Sequence, residues 1–185
     1  MKTEYRFAEA LKEMMAEMPL DSISVTTLAR KCRVNRQTFY YHFHDIYDLL
    51  TLVFLNEEID GLNDVKNINE LIIKIFKYYS NNKSFIEATL NSAGKELFEE
   101  FIHNVCYKTF LKFINNIQDS KKLHANDRKA IARFYALAYS HTTVYYLSTY
   151  KNKTLEGLLN CFAFENEDVF DEAVRRMLII RSKQK

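Results

Sequence analysis

The scarcity of glycine and proline most constrains the fold of this chain, because its 185 residues include only three Gly and one Pro. Tight turns depend on these two residue types, and a β-rich fold needs many such turns. The sequence therefore predicts an all-α fold in which long helices are joined by short polar loops. A chain of this length can bury a sizeable core, either as one domain or as a small domain joined to a larger one.

Several classes of protein are disfavoured by composition. No run approaches the roughly 18 apolar residues that span a bilayer, so no membrane segment is expected. The first residues, MKTEYRFAEALKEMM, carry acids through their apolar part, unlike a signal peptide. Cys32, Cys106 and Cys161 form no CxxC pair, which favours free thiols in a reducing cytoplasm.

A helix-turn-helix is predicted near the N-terminus. Apolar spacing predicts a first helix over residues 5–17. Ser24 and Asn35 are predicted N-caps of two short helices, the second over 36–42, and Asp45 is a predicted cap of a longer helix. Two short helices about three residues apart, with a helix on each side, are typical of this motif.

The second short helix carries an uncommon set of side chains, NRQTFYYHF at residues 35–43. Phe39 and Phe43 lie four residues apart and share one helical face, which favours a core position, whereas the two tyrosines between them point outward. Residues 26–44 include four Lys or Arg and no Asp or Glu, a pattern typical of phosphate binding. An ordinary solvated face would account for the charges but not for the outward tyrosines.

The segment ISVTTLARKCRVNRQTFYYHFHDIYDLL, Ile23 to Leu50, resembles the DNA-binding region of the tetracycline-repressor (TetR) family, and its TFYYHF core is highly specific. The variant is most similar to the subset associated with control of dihydroxyacetone kinase operons. Two positions depart from the family pattern. Arg33 replaces the turn glycine, so the turn is either left-handed, at a cost of about 1 kcal/mol, or shaped differently. Ile46 replaces a frequent phosphate-contacting lysine.

The resemblance implies a sequence-specific transcriptional regulator that binds double-stranded operator DNA as a homodimer. Base contacts specify sequence and phosphate contacts position the protein. The residues implied to face base edges are Arg36, Gln37 and Thr38. Those implied to hold phosphates and thymine methyl groups are Tyr40, Tyr41 and His42. Those implied to contact the DNA backbone at the other edge of the groove are Thr26, Thr27 and Arg33.

The domain organisation expected from these patterns is a DNA-binding domain over residues 1–60 and a helical effector-sensing and dimerisation domain over 61–185. The helices predicted in the second domain cover 67–80, 84–92, 95–118, 127–150 and 166–181. The resemblance implies that the last two long helices form the dimer interface. Its predicted residues are Ala130, Phe134, Leu137, Ala138, Phe170, Ala173, Val174 and Met177.

An effector is expected, either a small molecule or a coregulator protein. Aromatic and polar residues within the helices could line a small-molecule pocket, although each is more often a core residue. The candidates are Tyr79, Phe101, Tyr107, Tyr135 and His141.

No cofactor and no metal are expected, since His42 and His44 with Cys32 supply no closed tetrahedral set. No phosphate-binding glycine loop, nucleophile elbow or HExxH motif occurs, so the chain is not expected to be an enzyme. The competing function is a protein-binding adaptor that keeps the fold without specific DNA binding.

Overall fold

The computed structural model describes residues 3–164 and 168–183, and every regular element within them is helical, which confirms the predicted all-α fold. The α-helices of these residues are α1 (Thr3–Glu17), α2 (Val25–Lys31), α3 (Arg36–His42), α4 (Ile46–Asn56), α5 (Ile68–Asn81), α6 (Lys83–Leu90), α7 (Lys95–Asn116), α8 (Ala125–Thr149), α9 (Leu155–Asn160) and α10 (Val169–Ser182). Short 3₁₀ turns occur at Leu20–Ser22, Leu62–Asp64 and Gln118–Lys122.

The three predicted N-caps, Ser24, Asn35 and Asp45, are confirmed. Each side-chain oxygen accepts a hydrogen bond from the backbone N–H three residues further on, at 3.1, 2.9 and 2.8 Å respectively. Such caps satisfy N–H groups that have no partner within the helix, and each contributes about 1 kcal/mol. Local sequence therefore sets the starts of α2, α3 and α4.

One helix, α9, was not predicted. It begins after Thr154, whose hydroxyl oxygen accepts a hydrogen bond from the Gly157 N–H at 3.0 Å. The Tyr146 hydroxyl of α8 accepts a bond from the Thr154 N–H at 3.0 Å. The helix predicted over 166–181 corresponds to α10, although residues 166 and 167 lie outside the described residues.

The first of two compact units extends to Glu58 and also includes Tyr79–Phe101. Within it, α1 packs against α2, α4 and α6, and α2 packs against α3. The Lys12 ammonium of α1 lies 2.5 Å from the Glu57 carboxylate and 5.3 Å from the centre of the Phe85 ring.

The second unit contains Ile59–Tyr78 and the described residues from Ile102 onward. The Phe110 ring contacts those of Tyr139 and Phe170, with centroid distances of 5.2 and 5.0 Å, so α7, α8 and α10 share one aromatic core. The functional division between residues 1–60 and 61–185 stays a prediction. None of the helices within residues 3–164 and 168–183 combines the length and apolar character that a membrane span requires.

Candidate nucleic-acid interface

The side chains of α3 divide between core and surface. Phe39 and Phe43 are buried. Tyr40 is 57% exposed and Tyr41 is 86% exposed, and the first two residues of the helix are also exposed. This division confirms the helical phase predicted from the sequence, and it leaves a polar and aromatic surface on a helix of seven residues.

The buried face of α3 rests on α1. The Phe7 ring lies edge-on to the rings of Phe39 and Phe43, with centroid distances of 5.3 and 6.2 Å. Edge-to-face pairs of this kind contribute about 0.5–1.5 kcal/mol each beyond the burial of their area. The orientation of the exposed face is therefore set by a rigid aromatic contact.

The turn between α2 and α3 contains Arg33 in the left-handed conformation, with φ of 55°. The Val34 N–H donates to the Ala29 carbonyl and the Arg33 N–H donates to the Arg30 carbonyl, both at 3.0 Å. This pair of bonds is the Schellman arrangement, in which the residue after the C-cap is usually glycine. Of the two turn shapes that the sequence left open, the left-handed one is therefore observed at Arg33.

A second contact holds the same turn from α1. The Arg6 Nη2 donates to the Cys32 carbonyl at 2.6 Å, and the Cys32 thiol donates to the Arg6 carbonyl at 3.6 Å. Burial raises the pKa of the Cys32 thiol, which keeps its proton available for this bond. The sequence analysis missed Arg6 because its partner lies 26 residues away.

Two of the threonines implied to contact DNA have their hydroxyl protons engaged. The Thr27 hydroxyl donates to the Ser24 carbonyl at 2.8 Å, and the Thr38 hydroxyl donates to the Asn35 side-chain oxygen at 3.1 Å. A hydroxyl has one proton, so either group must exchange that bond before donating to DNA. Thr26 is exposed, and its hydroxyl bonds to no other described residue.

Two acids of α1 face the basic segment, residues 26–44. The composition of that segment alone did not reveal these contacts. The Lys31 ammonium lies 2.9 Å from the Glu13 carboxylate, and this hydrogen bond raises the pKa of Lys31. The His42 Nδ1 lies 3.3 Å from the Glu4 carboxylate. The other cations of the segment are exposed: Arg30, Arg33 and Arg36.

The predicted interface residues of α8 are exposed, whereas those of α10 are not. Ala130 and Ala138 are exposed, Phe134 is 69% exposed and Leu137 is 56% exposed. They share one helical face with Tyr145, an exposed residue that the sequence analysis omitted. This face of α8 is mostly apolar and solvent-accessible, and it also includes the exposed His141.

On α10, Ala173 and Met177 are half-buried, whereas Phe170 and Val174 are buried within the chain itself. The Phe170 ring lies 5.2 Å from that of Tyr135. Contacts inside one chain thus account for the burial of Phe170. The exposed apolar residues that α10 does present, which the sequence analysis also omitted, are Ile179 and Ile180.

The predicted ligand-pocket residues do not form one site within either unit. Tyr79 and Phe101 belong to the first unit, where the Tyr79 hydroxyl donates to the Glu87 carboxylate at 2.8 Å. Tyr107, Tyr135 and His141 belong to the second, where His141 is exposed. A pocket lined by these residues stays a prediction.

Comparisons with known proteins agree with the family resemblance of the recognition segment, Ile23 to Leu50. Residues 66–161 match the TetR family model described as the transcriptional regulator C-terminal region. A curated relative is the HTH-type dhaKLM operon transcriptional activator DhaS of Lactococcus lactis subsp. lactis (strain IL1403), 29% identical over 89 residues. That alignment covers 46% of this chain and 47% of the relative, so it spans about half the length of each.

A solved structure described as the dihydroxyacetone kinase operon activator DhaS is similar in fold, with a TM-score of 0.58 and 22% sequence identity. The alignment covers 96% of this chain and 94% of that chain. The family match extends over more than half of the sequence and lies outside the helix-turn-helix, so it is independent of the recognition segment. The chain belongs to the TetR family of transcriptional regulators.

Proposed function

We propose that this regulator binds duplex operator DNA sequence-specifically by placing α3 in the major groove. The observation that carries the proposal is the division of α3, in which the buried Phe39 and the buried C-cap residue Phe43 orient an exposed polar and aromatic face. An α-helix fits the major groove, where each base pair presents a distinct pattern of donors and acceptors. Neither α2 nor α3 contains an acid that would repel phosphate, and the acids that face them, Glu4 and Glu13 of α1, pair with His42 and Lys31.

Each side chain of this face has a proposed role. Arg36 and Gln37 at the start of α3 read base edges, because both can form paired hydrogen bonds with a purine. Tyr40 and Tyr41 contact phosphates and thymine methyl groups. His42 contacts phosphates beside these tyrosines, and Arg33 and Thr26 contact the DNA backbone at the other edge of the groove.

We further propose that the protein acts as a homodimer. A two-fold dimer presents two recognition helices to two half-sites of an operator. The exposed apolar face of α8, centred on Phe134 and Leu137, supports this proposal, as do the exposed Ile179 and Ile180 of α10. Large apolar side chains grouped on one accessible face are typical of interaction surfaces.

The proposed setting is cytoplasmic control of a dihydroxyacetone kinase operon. It is supported by the names of the curated relative and of the similar solved structure. An effector, either a small molecule or a coregulator protein, would act through residues 61–185. The relatives are named as activators, and the same sense of regulation is proposed for this protein.

Titration of duplex DNA with the purified protein tests the proposal. Binding should weaken steeply with salt, because contacts between cations and phosphates release counterions. Gln37→Ala should relax preference at one base pair at a cost of about 1–3 kcal/mol, whereas Tyr41→Ala should weaken all sequences alike. Tyr5→Ala, which alters an exposed tyrosine of α1, is the control.

Salt-independent binding, or no binding to any duplex, would contradict DNA recognition and favour the protein-binding adaptor. In that case the Gln37→Ala and Tyr5→Ala variants should behave alike in every DNA assay.

A further inference from the structure

The second unit contains a cavity of about 270 Å³, located where α5 begins, α7 ends and α10 begins. A well-packed protein interior has few voids larger than a water molecule, which occupies about 30 Å³ of the liquid. The volume is close to the lower end of the range for small-molecule sites, about 300 Å³. None of the five predicted pocket residues lines this cavity.

The inner wall of the cavity is aromatic. Tyr139 and Phe162 line it as a parallel stack with centroids 4.4 Å apart. Phe113 and Phe170 line it as a second pair with centroids 6.1 Å apart. Aromatic faces favour a ring-bearing occupant, because ring pairs contribute about 0.5–1.5 kcal/mol beyond area burial.

The rim of the cavity is polar, and the described residues that line it carry one charge of each sign. Lys66 and Asp171 both line it and both are exposed. Neither the ammonium nor the carboxylate forms an ion pair with another of the described residues. Asn69 and Asn116 add uncharged donors and acceptors to the same rim.

We propose that this cavity binds a small ring-bearing zwitterion. Its ring lies against the aromatic wall, its anionic group faces Lys66 and its cationic group faces Asp171. A purely anionic molecule would meet the Asp171 carboxylate, and a purely cationic one would meet the Lys66 ammonium. Binding as such is independent of the proposed function, whereas a role as effector rests on that function.

Calorimetric titration of the full-length protein with three probes tests the charge requirement. The probes are L-phenylalanine, phenylacetate and phenethylamine, which share a benzyl group and differ in charge. L-phenylalanine should bind at least about tenfold more tightly than either singly charged probe. Equal binding of the three probes, or equally tight binding of uncharged 2-phenylethanol, would overturn the proposal.

Two charge-removing variants give a readout that a change in fold would not produce. Asp171→Asn should shift the preference between the singly charged probes towards phenylacetate, and Lys66→Gln should shift it towards phenethylamine. Each variant should weaken binding of L-phenylalanine by about tenfold. A preference that is unchanged in both variants would contradict the assignment of the two ends.

A matched pair of substitutions tests the location. Asn116 lines the cavity, and the neighbouring Asn115 of α7 is not among its lining residues, although both are exposed. Asn116→Phe should fill the cavity and abolish binding of L-phenylalanine, whereas Asn115→Phe should leave binding unchanged. Equal effects of the two variants, or no binding of any probe to the unaltered protein at millimolar concentration, would overturn the proposal.

DNA titration separates this proposal from the proposed function. Binding of L-phenylalanine by a protein that fails to bind DNA would contradict the proposed function and support the cavity assignment. DNA binding by a protein that fails to bind the probes would support the proposed function and contradict the cavity assignment.

Discussion

At the scale of single residues, Arg33 destabilises the fold slightly but is proposed to strengthen DNA binding. Its left-handed backbone costs about 1 kcal/mol relative to a conformation without a Cβ clash, and glycine would avoid this cost. The side chain nevertheless places a cation beside α3, the proposed recognition helix, and it is exposed. In the proposed function, this arginine contacts a DNA phosphate and adds binding free energy at the cost of local backbone strain.

Replacement of Arg33 by Gly should therefore separate the two effects. Relief of the clash, about 1 kcal/mol, is opposed by about 0.4–1 kcal/mol of added freedom in the unfolded chain, so the melting temperature should change little or rise slightly. DNA affinity should fall. The slope of the logarithm of DNA affinity against the logarithm of salt concentration should become shallower by about one unit. Melting curves and DNA titrations of Arg33→Gly and Arg33→Ala provide the measurement.

Arg33→Ala is the control, since it removes the cation but keeps the Cβ. It should lose DNA affinity to a similar degree while melting below Arg33→Gly. Undiminished DNA binding by both variants would refute the phosphate contact.

At the scale of elements, a buried carboxylate joins the first turn of α8 to the last turn of α10. The Arg181 Nε lies 3.2 Å from each oxygen of Asp127, and the Arg181 Nη2 also bonds to this carboxylate. Asp127 is only 4% exposed. The hydrogen bond from Arg181 lowers the pKa of Asp127 below its ordinary value, so the ionised carboxylate stabilises the folded chain.

This ion pair predicts a component of acid sensitivity. Because the folded pKa of Asp127 is lowered, its contribution is fully present above the ordinary value of about 3.9 and is lost as the pH falls through the folded pKa. Asp127→Asn should lower the melting temperature by roughly 2–4 °C at neutral pH and flatten its decline in acid. Melting between pH 2 and 7 provides the test.

Asp119→Asn is the matched control, because Asp119 pairs with Lys122 on the surface. It should leave both the melting temperature and its decline in acid nearly unchanged. Identical acid profiles for Asp127→Asn and the unaltered protein would contradict the stabilising role of the pair.

Sequence patterns predicted the elements whose signals are local. Ser24, Asn35 and Asp45 bond to backbone groups three residues away, so their role as caps is readable from the chain. The helix α9 was missed because it has only six residues and depends on a contact from Tyr146. A Cβ on Gly157 would lie 2.2 Å from the Tyr146 hydroxyl oxygen, a constraint that exists only in three dimensions.

In the candidate nucleic-acid interface, too, the sequence predicted local features but not contacts between helices. Helical phase separated Phe39 from Tyr41, because alternation within one helix depends on local spacing. The pairing of Lys31 with Glu13 was not predictable, since it joins two helices across 17 intervening positions of the sequence. Phase could not reveal that Phe170 contacts its own chain rather than a partner.

At the scale of the whole molecule, the proposed homodimer depends on side chains exposed in one chain. Phe134 and Leu137 are large, apolar and more than half exposed on α8. Burial of such residues contributes about 25 cal/mol for each Å² of apolar surface. A carboxylate placed among them in a dimer would be buried without a partner.

Phe134→Glu and Leu137→Glu should therefore convert the dimer to a monomer and weaken operator binding. Lys129→Glu alters an exposed residue on another side of α8 and should leave the dimer intact. Sedimentation velocity of the three variants provides the measurement. Unchanged sedimentation of all three would show that this face of α8 is not the interface.

Selection of bound fragments from random duplex DNA by the purified, full-length protein tests the central claim most directly. A homodimer that presents two copies of α3 should enrich an inverted repeat whose half-site centres lie about 10 base pairs, or a multiple of that distance, apart. Gln37→Ala should enrich the same repeat with one position in each half-site relaxed. Failure to enrich any sequence, or enrichment that is unaffected by substitutions in α3, would contradict the account.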